Sequence, residues 1–124
     1  MVKTKRAYEP AARGDGLRVL VDRLWPRGVT RQSARLDLWA RDLAPSPELR
    51  KWFGHDPDRF TAFSVRYRHE LGCGPARAAL EDLVLRASLG TVTLVYGARD
   101  VAHNGAVVLR QEIESALGGS AARR

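Results

Sequence analysis

Two short apolar runs along the chain are typical of buried β-strands. Residues 17–22 are rich in branched aliphatic side chains and follow a turn-like Gly-Asp-Gly sequence at residues 14–16. Residues 91–96 lie between two glycines and carry apolar side chains at successive positions. Runs this short, bounded by turn residues, predict strands that are covered on both faces. A third segment, near residues 2–8, alternates weakly between polar and apolar positions and predicts an edge strand.

Helical periodicity occupies most of the chain between and after these strands. Residues 36, 39 and 43 are apolar and fall on one helical stripe that ends before Pro45. Start signals and apolar spacing predict further helices at residues 47–53, 56–71, 75–89 and 100–117. Strands that are separated by helices pair in parallel through right-handed crossovers. The sequence therefore predicts an α/β fold.

The predicted α/β fold is a single small domain with a short, mostly parallel sheet flanked by helices. The chain has 124 residues, which is the ordinary size of one domain. We expect the domain to cover residues 1–117. Residues 118–124 are rich in glycine, alanine and arginine, and they predict a flexible C-terminal tail.

Polar residues follow both of the strongest predicted strands. Ligands of an open parallel sheet gather beyond the carboxyl ends of its strands. The last helix also begins there, and the free N–H groups of a helix start favour an anion. These two segments therefore predict one polar pocket for an anionic small molecule. They supply Asp22, Arg23 and Arg27 after the first strand, and Tyr96, Arg99, Asp100, His103 and Asn104 after the second.

The candidate ligand-binding residues of this pocket are arginines with two neighbouring polar groups. Arg23, Arg27 and Arg99 offer planar guanidinium groups, which suit phosphate and carboxylate. Tyr96 and Asn104 complete the predicted set. Arg27 is followed by a glycine, which lets the backbone approach a ligand closely.

The candidate catalytic residues are His103, Asp22 and Asp100. A histidine in the first turn of the last helix stays neutral and is able to transfer a proton together with either aspartate. Each has a structural alternative: Asp22 pairs internally with Arg23, Asp100 caps the helix, and His103 bonds the preceding loop. The sequence does not decide between an enzyme of unknown reaction and a binding protein.

Three ordered segments of the chain resemble the YeaO-like proteins, which form part of domain-of-unknown-function family 488. Their sequences are VLVDRLWPRG at residues 19–28, LAPSPELRKWFGHDP at 43–57, and VYGARD followed by HNGAVVLR within 95–110. The resemblance runs from about residue 3 to residue 117. It implies a compact α/β protein of the bacterial cytoplasm and brings no established reaction. The pattern is loose around Cys73, which inherits no role.

The charge balance also favours anionic partners. The 21 lysines and arginines exceed the 14 aspartates and glutamates, which gives a formal net charge of +7. The alternative function is therefore a nucleic-acid-binding module with an arginine-rich helical surface, for which weak, salt-sensitive binding is expected. Its candidate residues are Arg59, Arg66, Arg77 and Arg86. A GC-rich genome explains the same arginine excess without any binding role, and docking of the aromatic helices on a partner is a third possibility.

Several classes of protein are excluded or disfavoured. No apolar run reaches 18 residues, which excludes a transmembrane helix, and the first residues lack the apolar stretch of a signal peptide. We therefore expect a cytoplasmic protein without membrane contact. The single cysteine excludes an intramolecular disulfide and a cysteine-based zinc site. We predict neither a metal nor a cofactor, and the sequence leaves the oligomeric state open.

Overall fold

Four parallel strands form one sheet. The structure is a computed structural model that describes the backbone of residues 1–122 and the side chains of residues 1–118. The strands are β1 (Val2–Arg6), β2 (Leu17–Leu20), β3 (Leu38–Trp39) and β4 (Val92–Tyr96), in the spatial order β1-β4-β2-β3. Each pairing is parallel. The prediction that β2 and β4 are parallel neighbours is confirmed, and β1 is an edge strand as predicted.

Helices connect these strands in the manner of an α/β fold. The α-helices of the described residues are α1 (Arg31–Ala34), α2 (Pro47–Phe53), α3 (Phe60–Leu71), α4 (Gly74–Leu89) and α5 (Gly105–Ala122). The residues that begin and end α2 act through local contacts. Ser46 Oγ accepts the N–H of Leu49 at 3.2 Å, and Gly54 ends α2 in the left-handed conformation with φ 57°.

The predicted helical stripe at residues 36–43 is wrong. Leu38–Trp39 instead form β3, which pairs with β2 at the sheet edge. The indole of Trp39 packs edge-on against Trp25 at 5.5 Å between ring centroids, and its Nε1–H donates to the backbone oxygen of Asp22 at 2.7 Å. These tertiary contacts outweigh the local periodicity, as is common for short strands.

The two faces of the sheet are covered differently. The main core joins the face that carries Val19 and Leu94 to the apolar sides of the longer helices, including Phe63 and Ile113. The opposite face carries a much smaller cluster around Leu20, with side chains from loops and from β3 packed against it. The helices therefore stand mainly on one face.

Helix α5 extends beyond the predicted end of the domain. Its backbone is helical to Ala122, so residues 118–122 continue the helix, while residues 123 and 124 lie outside the described residues. The flexibility of residues 118–124 stays a prediction. None of the helices within residues 1–122 combines the length and apolar content that crossing a membrane requires.

Candidate functional site

A cavity of about 480 Å³ opens where β2 and β4 end. Its walls come from the chain after β2, the chain after β4, the start of α5, and residues of α2 and α3 on the helical side. This volume lies within the range of small-molecule sites. The position is the one that the parallel topology predicts for a ligand site.

The cavity brings together five of the eight predicted site residues. Asp22, Arg23, Arg27, Tyr96 and Asn104 line it. Arg99, Asp100 and His103 are not among its lining residues. The cavity therefore brings Arg23 and Arg27 together without Arg99 and His103, and the roles of all eight residues stay predictions.

Arg23 has an unused donor inside the structure. Its Nε is buried and has no hydrogen-bond partner among the described residues. Leaving a buried donor unpaired costs about 1–3 kcal/mol, and more for a charged group. Arg18 Nη2 is a second buried donor without a partner among the described residues, so what distinguishes Arg23 is that its side chain also lines the cavity.

Two more guanidinium groups line the same cavity, those of Arg27 and Arg50. Neither side chain has an ion pair or a hydrogen bond within residues 1–118. Three arginines that share one cavity raise the local positive potential, and that favours an anion.

Asp22 supplies the carboxylate of the cavity. Its Oδ2 accepts the N–H of Gly97 at 2.8 Å, which ties the end of β2 to the end of β4. Burial raises the pKa of Asp22, and the Gly97 N–H and the neighbouring His55 and Arg50 side chains counteract it only in part. No ion pair joins this carboxylate to an arginine among the described residues. The internal pair of Asp22 with Arg23, one of the alternatives from the sequence, is not formed.

Asn104 and Tyr96 have mainly local contacts at the cavity wall. Asn104 is the residue that caps α5, because its Oδ1 accepts the N–H of Val107 at 3.0 Å. Its Nδ2 donates to the backbone oxygen of Asp100 at 2.8 Å. Burial raises the pKa of Tyr96, and the Tyr96 side chain is only 4% exposed. Both residues therefore shape the wall.

Asp100 and His103 form a pair outside the cavity. Asp100 Oδ1 accepts the N–H groups of Ala102 and His103, and His103 Nδ1 lies 2.9 Å from Asp100 Oδ2. The Ala102 N–H and the His103 side chain lower the pKa of Asp100. Asp100 thus caps a turn and not α5, and His103 precedes the helix instead of lying in its first turn. The His103 ring packs edge-on against Phe60 at 5.2 Å between ring centroids and does not line the cavity.

Sequence reasoning missed part of the cavity. Arg50 and His55 line it, as do the rings of Tyr8, Phe53 and Phe63. The local interpretation of residues 54–57 as a helix stop and a new start is confirmed, since Asp56 Oδ1 accepts the N–H of Asp58 at 3.0 Å. Arg50 had no signal besides its place in the resembling segment 43–57, whereas His55 also stands directly before Asp56, an adjacency that the helix stop and start explain.

The arginines of the nucleic-acid alternative have local contacts. Arg77 pairs with Glu81 at 3.1 Å and Arg86 with Asp82 at 2.9 Å. Arg59 and Arg66 both lie over the Trp52 ring, at 5.3 and 4.0 Å from its centroid. Arg59 also pairs with Asp56 at 3.7 Å, so three of the four charges have a nearby carboxylate, and nucleic-acid binding stays a prediction.

Comparisons with known proteins agree with the resemblance found in the sequence. The model of a family described as "Inactive DUF488-N3 subclade" matches residues 1–123. The chain belongs to the YeaO-like proteins of the DUF488 family. This YeaO-like chain is 44% identical over 110 residues to an uncharacterized protein of Mycobacterium tuberculosis (strain ATCC 25618 / H37Rv), covering 89% of this chain and 91% of that protein. It is 37% identical over 115 residues to the uncharacterized protein YeaO of Escherichia coli (strain K12), covering 92% and 97%. No solved structure matches.

Proposed function

We propose that this YeaO-like protein binds a small anionic molecule in the cavity at the strand ends. The observation that carries the proposal is the buried Nε of Arg23, which has no partner among the described residues and lies in a side chain that lines the cavity. A buried charged donor costs stability unless an acceptor reaches it. An anion inside the cavity supplies an acceptor for the guanidinium group of Arg23 as a whole.

The charges around the cavity support the same ligand class. Arg23, Arg27 and Arg50 line the cavity together with one carboxylate, that of Asp22. Guanidinium groups bind carboxylate and phosphate through two parallel hydrogen bonds, and these bonds strengthen where water is partly excluded. The net positive set therefore attracts a ligand with at least one negative group.

We further propose that the protein acts by binding and not by catalysis. The family description that matches the chain contains the word "Inactive". The Asp100–His103 pair, which has the geometry of an oriented imidazole, does not line the cavity, and this supports binding without proton transfer by that pair. Asp22 is then a charge-balancing residue of the site.

A charge-removal experiment tests anion binding. Phosphate, sulfate, benzoate and adenosine monophosphate are titrated at low ionic strength and followed by amide chemical shifts and by thermal stabilisation. Arg27→Gln is compared with Arg13→Gln, which removes the same charge from an exposed position at the other end of β2.

We expect Arg27→Gln to weaken binding about tenfold or more, because a charged hydrogen bond contributes about 1.5–3 kcal/mol. We expect Arg13→Gln to change it less than about twofold, since that charge is distant and screened. If none of the four anions saturates, or if both variants lose the same affinity, the proposal is overturned.

A further inference from the structure

The cavity is larger and more apolar than an inorganic anion requires. Its volume is about 480 Å³, and aromatic residues contribute to its wall, with Tyr8 the most exposed of them. Phosphate or sulfate needs donors and gains nothing from aromatic walls, whereas these walls favour a flat apolar group. The aromatic residues that line it are Tyr8, Trp25, Phe53, Phe63 and Tyr96.

Several of these rings are held in place. Phe53 and Phe63 stack at 4.3 Å between centroids, and both belong to the main core. The Trp25 indole donates to the backbone oxygen of Val29 at 2.6 Å and packs edge-on against Trp39. The rings are thus preorganised, and a ligand that meets them pays little for ordering side chains.

Exposed apolar side chains lie next to the arginines at the rim. Tyr8 is 49% exposed and Leu24 is 59% exposed, and both line the cavity. The Tyr8 hydroxyl donates to the backbone oxygen of Arg27 at 2.8 Å, which keeps its ring beside that arginine. Leu24 directly follows Arg23 in the chain. Each of these two arginines therefore has an exposed apolar neighbour.

We propose that the ligand of this cavity is an anion that also carries a flat aromatic ring, an inference that rests on the proposed anion binding. The negative group contacts Arg23 and Arg27, and the ring lies against Tyr8 and the adjoining aromatic wall. A nucleoside monophosphate and an aromatic carboxylate share this chemistry. Stacking on an aromatic side chain is tolerant of ring identity because every ring has a π face.

Two matched sets of probes test the inference. The phosphate set is inorganic phosphate, ribose 5-phosphate, adenosine monophosphate and adenosine. The carboxylate set is cyclohexanecarboxylate and 1-naphthoate. We expect at least one aromatic anion to bind about tenfold tighter than its non-aromatic counterpart, and adenosine without phosphate to bind weakly. The set that shows the gain identifies the source of the ligand.

Variants at Tyr8 locate the effect. Tyr8→Leu keeps an apolar side chain but removes the ring, so we expect it to lose most of the aromatic gain while phosphate affinity changes less than about twofold. Tyr8→Phe keeps the ring, so we expect it to keep the tighter binding of aromatic anions. Val65→Ala, at a 63% exposed position on α3 that does not line the cavity, leaves all affinities unchanged.

Two outcomes overturn this inference. One is that anions bind in an Arg27-dependent way but aromatic anions bind no tighter than their counterparts, which leaves the proposed function intact. The other is that the aromatic gain persists in full in Tyr8→Leu. If no anion binds at all, the proposed function itself fails, so the two failures are distinguishable.

Discussion

The two ends of β2 differ in whether their charged side chains form ion pairs. Before the strand, Asp15 is 5% exposed and lies 2.7 Å from Arg18 Nη1. Lys5 Nζ lies 3.2 Å from both of its carboxylate oxygens, and the N–H of Ala12 donates to it at 2.9 Å. After the strand, Asp22 shares a cavity with three arginines and pairs with none of them among the described residues.

This difference separates charges that stabilise the fold from charges available to a ligand. At the first end, Asp15 forms ion pairs with Lys5 and Arg18, which compensate the burial of its charge, although Arg18 Nη2 is itself buried without a hydrogen-bond partner among the described residues. At the second end, the fold leaves a carboxylate and the Arg23 Nε without ion-pair partners among the described residues, at a cost in stability. Such local costs are expected where a protein binds something.

The largest effect is expected from Arg18→Met. This change removes a buried partner of Asp15 and leaves its carboxylate less compensated, which costs about 3 kcal/mol of unfolding free energy. Urea unfolding at neutral pH measures it. The control is the double variant Arg18→Met with Asp15→Asn, which removes both charges and should recover part of the loss. A cost below about 1 kcal/mol for the single variant would show that this end is not a stabilising pair.

A change of pH is expected to have a smaller effect on the unfolding free energy. The effect has opposite signs for Asp15 and Asp22. Burial acts to raise the pKa of Asp15, but the Ala12 N–H, Lys5 and Arg18 outweigh it and leave that pKa below 3.8. Its contribution to stability is therefore complete above the unfolded value and is lost as pH falls through the folded pKa. Burial raises the pKa of Asp22 above 3.8, so its cost develops as pH rises from that value to the folded pKa.

Unfolding free energies from about pH 3 to about pH 7 test this difference. Relative to the unmodified protein, Asp15→Asn should become less stable as pH rises, and Asp22→Asn should become more stable. The Asn side chain at position 22 still has an oxygen to accept the Gly97 N–H, which keeps that contact. Two difference curves of the same sign would contradict the comparison.

The sequence predicts the site after β2 better than the ion pairs before it. Strands β2 and β4 are evident because their apolar content is local, and parallel pairing then places Asp22, Arg23 and Arg27 at one edge. The pairing of Asp15 with Arg18 depends on how the chain before β2 turns, which periodicity does not report.

The rest of the cavity depends on tertiary contacts. Arg50 and Tyr8 reach the cavity from separate segments, so no local pattern marks them. Conversely, the N–H groups of Ala102 and His103 bond Asp100 in a turn, and the His103 ring packs against Phe60 instead of lining the cavity, although His103 is close in sequence to the end of β4. The conformation of a short loop depends on hydrogen bonds from side chains to its backbone, and the spacing of apolar residues does not reveal these bonds.

The smallest effect on stability is expected from Arg27→Ala. The Arg27 side chain is exposed and has no partner within residues 1–118, so its loss should change the unfolding free energy by at most about 0.5 kcal/mol while anion binding is lost. Leu94→Ala is the core reference: Leu94 is 0% exposed, and its truncation should cost about 2–5 kcal/mol. Urea unfolding of both variants at one pH measures the two losses of unfolding free energy and gives their ratio. If Arg27→Ala destabilises the protein as much as Leu94→Ala, Arg27 is a structural residue, and the contrast between the two ends of β2 does not hold.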